Sequence, residues 1–174
     1  MQNMRKGDAY IFGDNINTDI ISPPQYMELS AAEAAKYAMS AIDTEFASTV
    51  KPGDIIVAGN NFGSGSSREL APLSLRHLQI GAMVAKTFAR IFYRNAINLG
   101  LAVVECADTD KIKQGDAINI DFAAGTLYNE TRNETYPCSK LPSHILALVQ
   151  EGGLIEHLKK QRGKNNLPSP EARD

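Results

Sequence analysis

A chain of 174 residues, 43% of them apolar and 22% charged, is expected to fold as one ordinary globular domain, burying roughly 70% of the surface its unfolded form exposes. Its formal net charge of −2 gives no global pull toward nucleic acid or an anionic membrane. No apolar run approaches the roughly 20 residues needed to cross a bilayer, and the opening MQNMRKGDAY lacks the apolar centre of a signal peptide, so the expected location is the cytoplasm.

Ala9 to Phe12 reads as a short strand. It runs into GDNINTDIISPPQY (13–26), where Asn, Asp and a Pro-Pro pair argue against regular structure. Ser30 and Glu33 form a capping box that starts a predicted helix over 31–41. Pro52-Gly53-Asp54 is a turn, and Ile55 to Ala58 is a continuously apolar strand predicted to be buried. After GNNFGSGSSREL (59–70), helical spacing of Leu70, Leu73 and Leu78 predicts a helix ended by Gly81.

Ala82 to Lys86 is the next strand. FARIFYRNAINLG (88–100) is predicted as a helix with Phe88, Ile91, Phe92 and Ala96 on one side and Gly100 at its end, and Leu101 to Glu105 is a third strand. This alternation predicts βαβ units and a parallel sheet. Beyond about 115 the pattern changes. Ala117 to Phe122 alternates apolar and polar, Gly125 marks a turn, and Leu127 to Tyr136 is strand-like, which suggests antiparallel strands. Leu141 to Val149 and Leu154 to Gln161 are candidate helices, and the polar, Pro-containing end is expected to be disordered. The expectation is therefore an α/β domain over 1–162 and a tail over 163–174.

Cys106 and Cys138 lie far apart in sequence, as do His77, His144 and His157. They make no metal or iron–sulfur ligand motif, and two isolated thiols are expected to be reduced. Chemistry concentrates instead in GNNFGSGSSREL. GxxxxGK[ST] fails because Arg68 follows the serines, and GxGxxG fails because Arg68 stands where the third glycine belongs. A glycine-rich loop entering a helix still presents free N–H groups to an anion. Ser66 and Ser67 add hydroxyls, and Arg68 adds a planar fork suited to a carboxylate. Between 55 and 104, five cations (Arg68, Arg76, Lys86, Arg90, Arg94) face one acid, Glu69, an excess that fits a small, highly anionic substrate. The competing reading makes Ser66 and Glu69 a capping box with no other role. Against it, Pro72 would then lie six residues into the helix, where it costs about 3 kcal/mol.

NFGSGSSRE followed by AKTFARIFYRNAINLGL, together with DNINTDIISP (14–23), resembles the swivelling domain of the aconitase superfamily. The resemblance is best to the separate small subunits of 3-isopropylmalate dehydratase and its relatives, and it covers nearly the whole chain. It implies a β/β/α-type swivelling domain with a mainly parallel central sheet, flanking helices and additional antiparallel strands. It further implies reversible dehydration of a hydroxy di- or tricarboxylic acid, in complex with a large subunit that carries a [4Fe–4S] cluster. No cofactor is expected in this chain, and neither nucleic acid nor membrane is an expected partner.

By the same resemblance Ser66 is the base that removes a proton beside a carboxylate. Arg68 clamps a substrate carboxylate, Ser67 donates a hydrogen bond within the Gly65-containing loop, and Asp19 assists acid–base steps or positioning. Specificity is expected in ISPPQYMEL, through Tyr26, Met27 and Glu28. Homoaconitase-like members tend to carry an arginine two residues after the tyrosine, and here that position is Glu28, which would repel a third carboxylate. An alkylmalate is therefore favoured, 3-isopropylmalate first and methyl- or dimethylmalate types behind it, over a tricarboxylate such as homocitrate. A non-catalytic binding module is the alternative of another class. Leu70 replaces the family's usual histidine, and Ser64 the cysteine common in the isopropylmalate branch.

Overall fold

The computed structural model describes residues 3–165. In chain order the elements are β1 (Met4–Ile11), α1 (Thr18–Ile21), α2 (Ala31–Ala34), α3 (Phe46–Thr49), β2 (Ile55–Ala58), α4 (Leu70–His77), β3 (Ala82–Ala85), α5 (Arg90–Asn98), β4 (Val103–Glu105), β5 (Ala117–Asp121), β6 (Thr126–Asn129), β7 (Glu134–Pro137), α6 (Ser143–Gln150) and α7 (Leu154–Asn165). The strands make one sheet in the order β4-β3-β2-β1-β5-β6-β7. The expected α/β class is what the structure has, with a parallel half and an antiparallel half of the sheet.

β1 joins the two halves. Its Met4–Asp8 stretch pairs antiparallel with β5, and Ala9–Ile11 pairs parallel with β2. At the changeover Ala9 N donates to Asp116 O (2.8 Å) and Gly115 N donates to Ala9 O (2.9 Å). β2 and β3 are buried at every position, whereas β5 and β6 alternate. That is the sequence difference between strands covered on both faces and strands covered on one. The carboxyl ends of β1, β2 and β3 therefore lie side by side, and the loops leaving them meet.

Several boundaries differ from the sequence reading. Ser30 does cap, accepting from Glu33 N at 3.3 Å, but the α-helix stops at Ala34 and a 3-10 turn over Ala35–Tyr37 follows. Met39, fully buried and at φ 62°, donates its N–H to Ile21 O (3.2 Å). Core packing thus overrides alanine's helix propensity. The run 127–136 is two strands with a reversal between them, so that Asn129 faces Glu134.

Gly81 does not end α4. A Cβ there would overlap the Gly53 carbonyl oxygen, and the left-handed residue after α4 is Gln79. In α5 the buried residues are Phe92, Ala96 and Ile97. Ile91, expected on the same side, is 56% exposed, because it is offset by about 100° from Phe92 around the helix. The tail expected from 163 begins inside α7, and its remainder, 166–174, lies outside the described residues.

A buried acid secures the antiparallel half beside the changeover. Burial alone would raise the Asp116 carboxyl, but hydrogen bonds from Asn129 Nδ2 (2.9 Å), Lys113 N (2.8 Å) and Arg132 Nε (2.8 Å) hold it below its ordinary value of 3.8. A depressed carboxyl contributes stability above the unfolded-state pKa and loses it as pH falls through the lower folded value. Asp116→Asn is expected to cost about 2 kcal/mol at neutral pH. In urea denaturation that difference should shrink as pH drops below 3.8.

Candidate active site

The loop after β2 is anchored through its aromatic residue. Phe62 is buried and packs edge-on against Phe88 (5.7 Å between centroids) and Phe92 (5.3 Å). Its N–H donates to Thr87 O (3.0 Å), and its carbonyl accepts from Ala89 N (2.9 Å). The next residue, Gly63, has φ 83°, and a Cβ there would overlap the Phe92 ring. Only glycine fits both the left-handed backbone and the closeness of the ring.

A second set of bonds ties this loop to the one after β1. Gly63 N donates to Ile16 O (2.7 Å), Thr18 N to Ser64 O (2.8 Å), and Thr18 Oγ1 to Ser66 O (2.9 Å). Asn60 N donates to Asp14 Oδ1 (2.7 Å). α1 starts in this seam, with Asn17 Oδ1 accepting from Ile20 N at 2.9 Å, so Asp19 stands in a fixed first turn. Ser64 contributes its carbonyl, which any residue could supply; its departure from the family pattern leaves this contact intact.

Ser66 caps no helix. α4 begins at Leu70 with Glu69 before it, and no side chain caps it. Pro72 is the third residue of α4, in the first turn, where a missing N–H costs no helical bond. Ser66 and Ser67 are exposed, and among the described residues neither hydroxyl has a hydrogen-bond partner. With Gly63, Gly65, Arg68 and Thr18 they line a cavity of about 220 Å³, whose opposite wall is Ala89–Phe92 and Asn95.

Arg68 Nη1 lies 2.9 Å from Asp19 Oδ1, with the two side chains 20% and 56% exposed. That nitrogen is buried yet lacks the alignment of a hydrogen bond. The charges attract, but a donor is left unspent. Such a pair is worth up to about 1 kcal/mol given the exposure of Asp19, and it lowers the positive potential expected around Ser66. Lys86 is likewise matched, to Asp110 at 2.5 Å. Two of the five cations counted between 55 and 104 are therefore neutralised by acids from elsewhere in the chain.

Ser66, Ser67, Gly65 and Arg68 are brought together, with Asp19 at the edge. Tyr26, Met27 and Glu28 do not line this cavity. Tyr26 stacks on Tyr37 at 3.9 Å, and Met27 and Glu28 are exposed. Thr18, Arg90, Ile91 and Asn95 are cavity residues that sequence reasoning did not assign. All four lie within the two stretches that carry the family resemblance, which is the signal that could have found them.

The aconitase C-terminal domain family model matches residues 4–109, which span both loops and α5. The chain belongs to this family. It is 47% identical over 89% of its length to the 3-isopropylmalate dehydratase small subunit of Methanosarcina mazei, covering 96% of that protein. It is 48% identical over 90% of its length to 3-isopropylmalate dehydratase small subunit 1 of Archaeoglobus fulgidus, covering 98%. The crystal structure of 3-isopropylmalate dehydratase from Methanocaldococcus jannaschii superposes with a TM-score of 0.88 at 42% identity, covering 93% of this chain and 97% of that one. The matched range includes the loop 63–68, whose serines are unspent on helix capping. Gly63→Ala should destabilise the fold by about 3 kcal/mol through ring overlap and left-handed strain, read as a lower melting temperature.

Proposed function

We propose that this chain is the small subunit of a hydro-lyase that dehydrates and rehydrates an alkylmalate, with 3-isopropylmalate as the favoured substrate, and that it works only with a large subunit. The observation that carries this reading is an exposed Ser66 hydroxyl, with no hydrogen-bond partner among the described residues, on the same cavity as the Arg68 side chain. The chain's similarity to 3-isopropylmalate dehydratase small subunits supports the substrate and the small-subunit role.

Ser66, as its alkoxide, takes the proton from the carbon beside a substrate carboxylate. The freed electron pair forms the carbon–carbon double bond as the hydroxyl leaves the neighbouring carbon as hydroxide, which takes up a proton to depart as water. The alkoxide needs donors and cations close by, and the loop N–H groups and Arg68 are the ones at hand. Arg68 grips a carboxylate through its fork, with Ser67 adding a donor. Asp19, ion-paired with Arg68, acts by positioning that guanidinium.

The resemblance also implies a [4Fe–4S] cluster. Among the described residues no group of three His, Cys, Asp or Glu could hold a metal. Burial pushes the Cys138 thiol up to about 11, with Cys106 and Asp121 adding to the shift, which disfavours the thiolate a cluster needs. The described residues do not fit the cluster, and we assign it to the large subunit.

Reconstitution with the separately purified large subunit, followed by a screen of alkylmalates against tricarboxylates, tests the assignment. Turnover by the small chain alone would contradict it. In the reconstituted complex Ser66→Ala should lower kcat by about 10³-fold with little change in KM. Arg68→Lys, which loses the fork, should raise KM by about tenfold.

A further inference from the structure

We propose that the exposed face of α5 bearing Arg90, Ile91 and Arg94 docks an acidic surface with an apolar centre on the large subunit; this rests on the reading of the chain as a small subunit. Arg90 and Arg94 are one helical turn apart and both exposed, so they share a face. Ile91 lies beside them and is 56% exposed.

This arrangement opposes the helix's own stability. Arg90 opens α5, where the macrodipole disfavours a cation, and two like charges at i and i+4 repel. The other arginine of the cavity, Arg68, is ion-paired with Asp19. Among the described residues Arg90 and Arg94 have no acidic partner, and α5 itself contains no acid. An exposed isoleucine between unpaired arginines has the composition of an interface, where arginine is enriched and an apolar anchor is desolvated.

The position of the face names the occupant. Arg90 and Ile91 form the wall of the cavity opposite Ser66 and Arg68, so a subunit that closes over that cavity must cover them. Arg94 carries the same face one turn further from the lip. A second copy of this chain is a poor occupant, because a two-fold contact would set the same arginines against each other.

The test measures affinity between the full chain and the purified large subunit, by calorimetry at low and high salt, together with steady-state kinetics at saturating large subunit. Arg94→Glu should weaken association by at least about tenfold at low salt, with the loss shrinking at high salt, and should leave kcat and KM unchanged at saturation. Ile91→Ser should weaken association by a similar factor at either salt. Thermal melts of each variant at wild-type temperature exclude misfolding, and Arg94→Gln, with a smaller loss, serves if Arg94→Glu melts early. Unchanged affinity in these variants overturns the proposal. A raised KM with unchanged affinity also overturns it and assigns the arginine to substrate. If the subunits associate and Arg94→Glu weakens them while the wild-type complex turns over no diacid, docking stands and the enzymatic reading falls.

Discussion

The site depends on a short seam of hydrogen bonds that fastens the loop after β1 to the loop after β2. Gly63 N to Ile16 O, Thr18 N to Ser64 O and Thr18 Oγ1 to Ser66 O hold the two segments in register. Without that seam, the GSGSSR stretch would be a run of small residues with wide conformational freedom. With it, Ser66, Ser67 and Arg68 stand at fixed positions relative to Asp19, some 47 residues earlier in the chain counting from Ser66. The seam forms because β1 and β2 run parallel and adjacent, which brings both carboxyl ends to the same edge of the sheet. Ligand sites of parallel sheets gather at that edge.

Rigidity beneath the seam comes from packing. Phe62 is fully buried between Phe88 and Phe92, a side chain whose burial contributes about 2–3 kcal/mol. The glycine after it allows the backbone to pass directly over the Phe92 ring. The loop is therefore small at its exposed tip and anchored at its root. That division suits a site that must let a substrate approach closely without losing its geometry.

Electrostatics around the cavity are more nearly balanced than the charge count along the chain suggests. Asp19 partly neutralises Arg68, so the unpaired positive charge at this edge lies on the exposed arginines of α5, of which Arg90 also lines the cavity. A lone subunit thus presents a cavity with one ion-paired arginine, Arg68, and one unpaired arginine, Arg90, at the start of a cationic helix face. A partner that supplies acids to that face would at the same time wall off the cavity from water and strengthen every charge interaction inside it.

The sequence by itself determined the α/β class, the alternation of β2, α4, β3, α5 and β4, the capping by Ser30, and the serine-arginine cluster, because periodicity and cap chemistry are local. Its two motif stretches were also enough to point to the family. Tertiary structure alone decided the rest. Ala35–Met39 left the helix because Met39 is drawn into the core beside Ile21. Gly81 serves a close approach to Gly53 instead of a helix end. Ile91 faces outward because the packing of Phe92 against Phe62 sets which side of α5 is buried, and Ile91 lies about 100° away from Phe92 around the helix. Met27 and Glu28 stand apart from the Ser66 cavity, and Asp19 reaches Arg68, because long-range contacts between loops carry no signature in the spacing of neighbouring residues.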